Sequence, residues 1–152
     1  MNEIREYVLG THDAELQRLG LQHRLWSEQT FACWARCGIR PGSVVLDVGS
    51  GPGYTAFDLS PLVGPTGRVV AVDESERFLE HVRSRAAAHG VNNIETRVED
   101  VQAMKVPADS VDVAYARWVL CFVPKPEAVI AGVARALKPG GRFAVQDYIH
   151  WA

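Results

Sequence analysis

The sequence predicts an α/β protein, a mostly parallel sheet covered by helices on both faces. Two observations carry this. From about residue 42 onward, short runs rich in β-branched residues alternate with stretches of helical period. Such apolar strands separated by helices belong to a parallel sheet buried on both sides. A glycine-rich turn closes the first apolar run, and Gly and Pro punctuate the later ones.

Before residue 42, Leu16, Leu19, Trp26, Cys33 and Trp34 recur at roughly helical spacing, and Pro41-Gly42 ends the segment. One or two amphipathic helices are expected over Asp13 to Cys37, after a short arm carrying Tyr7. Ser43 to Val48 reads as the first strand, and Gly53 to Val63 as a helix closed by Gly64-Pro65-Thr66-Gly67. Arg68 to Val72 is the second strand, followed by a helix from Ser75 to His89 that Gly90 stops. Asn93 to Val98 and Ser110 to Ala116 read as the third and fourth strands, with a loop containing Pro107 between them. Lys125 to Leu137 is a helix ended by Pro139-Gly140-Gly141, and Arg142 to Tyr148 is a fifth strand.

Length and composition narrow the function. The 152 residues amount to one domain. With 16 Lys and Arg against 18 Asp and Glu, the formal charge of -2 leaves no electrostatic footprint for nucleic acid. The basic residues around Arg83 and Arg85 fit the solvated face of a helix. No apolar stretch reaches the ~18 residues of a membrane span, and Met1 to Gly10 lacks the order of a signal peptide. A cytoplasmic protein is expected, with no membrane or nucleic-acid partner. The three cysteines suggest neither a disulfide framework nor a metal site. Cys33 and Cys37 share a helix face, but no second pair at zinc spacing accompanies them.

Open α/β sheets bind ligands at the carboxyl ends of their strands, beside the point where strand order reverses. There the sequence reads Asp47-Val48-Gly49-Ser50-Gly51-Pro52-Gly53-Tyr54. Glycines at 49, 51 and 53 allow a sharp turn and close backbone approach to a ligand. The second strand ends in Asp73, placed to accept hydrogen bonds from ribose hydroxyls. The dinucleotide fingerprint G-x-G-x-x-G would need glycine where Tyr54 stands, and here the pattern is G-x-G-x-G.

On these residues the chain resembles a class I S-adenosylmethionine-dependent methyltransferase of the small-molecule type, from about Tyr7 to Tyr148. The resemblance implies a Rossmann-like, doubly wound sheet with an N-terminal helical lid. Residues 1–41 would form the arm and lid, and 42–152 the cofactor-binding domain, as one structural unit. It implies S-adenosylmethionine as cofactor, S-adenosylhomocysteine as product and a small-molecule acceptor. Asp47 and the loop with Gly49, Ser50, Gly51 and Gly53 would surround the methionine part. Asp73 would take the ribose hydroxyls with Glu74 beside it, and Asp100 and Val101 would read the adenine. Ala116 and Arg117, in a segment like the family's fourth motif, would pass the methionine end, with Tyr7 and Gln22 in the lid. Capping competes as an explanation of Asp47 and Asp100, and packing as an explanation of Tyr7, Trp26 and Trp118.

Methyl transfer demands placement of the acceptor opposite the sulfur more than any obligatory side chain. His150, Tyr148 and Arg117 stand at predicted strand ends and are the candidate acceptor contacts. Family members carry seven strands in the order 3-2-1-4-5-7-6, whereas this sequence stops at Ala152, just past the fifth. Strands six and seven are therefore expected to be absent. A homo-oligomer through the exposed strand-five edge is expected. A cofactor-binding module without turnover is the alternative function, and a nucleotide-dependent oxidoreductase a weaker third.

Overall fold

A computed structural model describes residues 13–148. Its helices are α1 (Asp13–Leu25), α2 (Ser27–Cys37), α3 (Tyr54–Val63), α4 (Glu76–His89) and α5 (Pro126–Ala136). The strands are β1 (Val44–Val48), β2 (Arg68–Asp73), β3 (Ile94–Val98), β4 (Val111–Arg117) and β5 (Leu137–Gln146). A 3-10 turn spans Val101–Ala103. The sheet has the order β3-β2-β1-β4-β5, with every neighbouring pair parallel. Strand order reverses between β1 and β4, the position at which this architecture opens a crevice.

Alternation along the strands divides the core into two layers. Leu46, Val70, Ala114 and Val129 meet on one face, where α5 packs. Val45, Ala71, Val113 and Tyr115 meet Leu59 of α3 and Trp34 of α2 on the other. Trp34, edge-on to Tyr115 at 5.3 Å, makes α2 a core helix. α1 continues α2 across a break at Trp26 and reaches instead over the strand ends. Tyr54 fastens it there, donating its hydroxyl to the Leu16 carbonyl at 2.8 Å.

Helix ends follow local chemistry. Ser75 caps α4 by accepting the Phe78 amide, and Gly90 ends that helix in the left-handed conformation. The expected turn at Pro139-Gly140-Gly141 lies inside β5. Leu137 already pairs with Val111, and the ladder resumes at Val113 opposite Arg142, so these residues bulge out of the register. At the opposite end of the sheet from the crevice, Asp112 accepts the Val44 amide and the Lys138 ammonium, each at 2.8 Å. It thereby ties β1, β4 and β5 together.

Candidate active site

The carboxyl ends of β1, β2 and β4 lie level, with Val48 opposite Val72 on one side and Ala116 on the other. The loop from Gly49 to Gly53 is built across them. The Ser50 amide donates to the Val72 carbonyl at 3.0 Å, and the Gly51 amide to the Asp73 carboxylate at 2.8 Å. Gly49 has φ +65, and a Cβ there would stand 2.6 Å from Val119 Cγ2, so only glycine lets the loop lie against the segment after β4.

A cavity of about 480 Å³ opens beside this loop. It is lined by Asp73, Glu74, Asp100, Val101 and Gln102 at and after the ends of β2 and β3, and by Arg117, Trp118, Phe122 and Tyr148 at and after the ends of β4 and β5. α1 contributes Arg18, Leu19 and Gln22. Gln22 donates its amide to the Tyr148 hydroxyl at 3.2 Å, bridging α1 and the segment after β5.

Two carboxyls are buried against this cavity. Asp47 is 2% exposed and accepts the Thr55 hydroxyl at 2.5 Å. Burial pushes its pKa up to about 6, against the opposing pull of that hydrogen bond and of the Arg117 charge. Asp73 is 4% exposed and accepts the Ser75 amide on one oxygen and the Gly51 amide on the other. Burial raises it to about 6 as well, against those two bonds. Each of its oxygens keeps an acceptor site beyond the bond it already makes. Ser50 Oγ is buried in the loop with no hydrogen-bond partner among the described residues.

Arg117 is held from both N-terminal helices, donating to Thr30 Oγ1 at 3.1 Å and to His23 Nδ1 at 2.8 Å. Because a guanidinium only donates, His23 Nδ1 accepts, and Nε2–H is left to donate to Asp58 at 2.8 Å. A chain from α3 through α1 thus sets the guanidinium at the end of β4.

Of the residues expected from sequence, Gln22, Asp47, Gly49, Ser50, Gly51, Asp73, Glu74, Asp100, Val101, Arg117 and Tyr148 line the cavity. Gly53 and Ala116 are not among the lining residues. Gly53 precedes α3 with φ +82, and its Cβ position lies 2.5 Å from Val82 Cγ2, so packing against α4 explains it. Ala116 is fully buried in the core layer with Leu46 and Val129. Tyr7 and His150 fall outside the described residues. Asp100 also caps the 3-10 turn through the Gln102 amide at 2.8 Å, so capping and lining coincide there. Asp47 meets α3 through the Thr55 side chain, not as its cap. Sequence reasoning missed the cavity positions of Thr55, Phe122 and Val123. The apolar residues Val119, Phe122 and Val123 after a predicted strand end were the available signal.

The chain matches the model of the family described as "Methyltransferase domain" over residues 39–151, and it belongs to that family. Fold, glycine loop and match together make it a class I S-adenosylmethionine-dependent methyltransferase domain. It is 33% identical over 118 residues to an arsenite methyltransferase of Halobacterium salinarum, covering 78% of this chain and 30% of that one. It is 36% identical over 130 residues to a ubiquinone/menaquinone biosynthesis C-methyltransferase of Pseudomonas putida, covering 85% and 50%. The chain thus spans half or less of the length of these curated relatives. Among crystal structures, a SAM-dependent methyltransferase from Aquifex aeolicus superposes with a TM-score of 0.78 at 25% identity, covering 89% of this chain and 72% of that one. A SAM-dependent O-methyltransferase from Thermotoga maritima gives 0.65 at 28% identity, covering 78% and 43%. Among the described residues, no helix is long and apolar enough to cross a membrane.

Proposed function

We propose that this cleft holds S-adenosylmethionine and directs methyl transfer to a small-molecule acceptor. The observation that carries the reading is Ser50 Oγ, buried without a partner among the described residues in a loop flanked by two buried acids. A buried hydroxyl without a partner costs stability, and a ligand that bonds to it removes that cost. The spare acceptor sites of Asp73, with Glu74, suit the ribose hydroxyls; Asp100 and the Val101 amide suit the adenine. Asp47, Gly49 and Gly51 suit the methionine part. Tyr54 argues against a dinucleotide. Its side chain occupies the start of α3, stacked on His23 at 5.6 Å, where a pyrophosphate would need a glycine.

S-adenosylmethionine supplies a methyl group on a sulfonium, already activated for displacement. What the protein adds is placement and exclusion of water, worth on the order of 7–11 kcal/mol when the reacting atoms are well aligned. The Gln22–Tyr148 bridge and α1 enclose the cavity, while Arg117 is fixed in orientation by His23 and Thr30. None of the three cysteines lines the cavity. Cys121 is pushed up to about 11 by burial and the Asp147 carboxylate, so it stays a thiol and no thiolate nucleophile is used. Cysteines that remain unpaired also suit a cytoplasmic setting.

The test is incubation with isotopically methyl-labelled S-adenosylmethionine and a panel of small-molecule acceptors. Labelled acceptor and S-adenosylhomocysteine are expected in equal amounts. Cofactor binding with no labelled product from any acceptor would leave the alternative, a binding module without turnover.

A further inference from the structure

The acceptor end of the cavity is aromatic to a degree that the cofactor does not explain. Trp118 and Tyr148 stack nearly parallel, with centroids 6.1 Å apart. Trp26 meets Trp118 edge-on at 6.2 Å, and Phe122 meets Tyr148 edge-on at 6.5 Å. The four rings come from the α1–α2 break, the loop after β4 and the segment after β5. Trp118, Phe122 and Tyr148 line the cavity, and Trp26 extends this shelf beyond it. Three of the rings are about half exposed: Trp26 45%, Phe122 55%, Tyr148 48%. Contiguous exposed apolar surface of this kind, at the rim of a cavity, marks a binding face. Trp118 adopts φ +54, a conformation that side chains other than glycine rarely take, and such strain persists where surrounding structure enforces it.

Charge around the shelf selects the ligand. Arg117 lies with its guanidinium 4.7 Å from the centre of the Trp118 ring. It already supplies a cation to that face and would repel a second. The acids lining the cavity, Asp47, Asp73, Glu74 and Asp100, belong to the other strand ends. The nearby Asp147 carboxylate is turned onto the backbone amides of Cys121 and Tyr148. A methylammonium acceptor, which aromatic surfaces often hold, would meet the Arg117 charge already seated on the Trp118 ring. A flat ring carrying an oxygen with negative character would find both stacking surface and guanidinium.

We propose that the acceptor is a planar aromatic hydroxyl compound that lies on the Trp118–Tyr148 shelf with its oxygen toward Arg117. This rests on reading the cleft as a methyl-transfer site, and it deepens that reading by naming the substrate class. Arg117 is the specificity residue, and the Thr30 and His23 bonds position it.

The test uses 4-nitrophenol, whose phenol and phenolate forms absorb differently, titrated into protein saturated with S-adenosylhomocysteine. Submillimolar binding is expected, with the ionisation midpoint of the bound phenol about one pH unit below that of the free phenol, a tenfold preference for the phenolate. Arg117→Gln is expected to abolish that drop while binding persists. Trp26→Ala is expected to weaken 4-nitrophenol binding about threefold or more and leave S-adenosylhomocysteine affinity unchanged. Absence of 4-nitrophenol binding, an unshifted or raised midpoint, or tighter binding of phenyltrimethylammonium would overturn the proposal. That last comparison uses wild-type protein and holds even if a variant does not fold. Failure of S-adenosylhomocysteine to bind would instead overturn the cofactor assignment. The 4-nitrophenol titration without it would still report on the shelf.

Discussion

Replacing Asp47 with asparagine isolates the cost of keeping a charge beneath the glycine loop. The carboxyl is 2% exposed, and burial lifts it from 3.8 to about 6. Between those values the folded protein binds a proton that the unfolded chain does not, so stability falls as pH rises through this window. The cost of the ionised carboxylate is fully present above about pH 6 and disappears below the unfolded value. The rise from 3.8 to about 6 corresponds to about 3 kcal/mol over the whole window, of which about 2 kcal/mol is lost between pH 4.5 and 7.5. The substituted amide retains an oxygen for the Thr55 hydroxyl and cannot ionise. Urea unfolding of both proteins at the two pH values gives the answer as a double difference. Any fixed cost of the new amide group cancels in it. Relative to wild type, Asp47→Asn is expected to gain about 2 kcal/mol on going from pH 4.5 to 7.5. A relative stability that stays flat, or moves the other way, would refute the claim that Asp47 is held as a strained buried acid.

Gly53→Ala is expected to destabilise the fold by about 1–3 kcal/mol. A residue at φ +82 would press its Cβ to within 2.5 Å of Val82, and a thermal melt reads the loss. Ser75→Ala removes the cap on the Phe78 amide and is expected to cost about 1 kcal/mol in urea unfolding. S-adenosylhomocysteine affinity should weaken by up to about tenfold from pH 7 to pH 5. Protonation of Asp47 and Asp73, both raised to about 6, removes acceptors from the cleft, and calorimetry at the two pH values checks the direction.

The fold was legible because its punctuation is local. Gly64, Gly90 and the β-branched runs place most element ends within a residue or two of where the structure has them. The start of β5 was misread because Pro139-Gly140-Gly141 has the composition of a turn, whereas its pairing partner Val111 is distant in sequence. The glycine loop and its acids were legible from spacing. The dual service of Asp73, which holds the Gly51 amide while facing the cavity, was not, since it depends on geometry across two strands. The Asp58–His23–Arg117 chain and the shelf of Trp26, Trp118, Phe122 and Tyr148 were equally hidden. Each joins residues from separate elements, and no single-segment periodicity records such a meeting. Gly53, a glycine that fits a ligand motif, also packs closely against Val82 of α4, which its spacing in the sequence does not record.

Calorimetric titration with S-adenosylhomocysteine, run beside NAD on the same protein at pH 7.5, tests the cofactor assignment most directly. One molecule of S-adenosylhomocysteine should bind per chain, with affinity reduced about tenfold in Asp73→Asn, and NAD should give no heat of binding. Micromolar binding of NAD with none of S-adenosylhomocysteine would contradict the assignment of the glycine loop to a sulfonium cofactor.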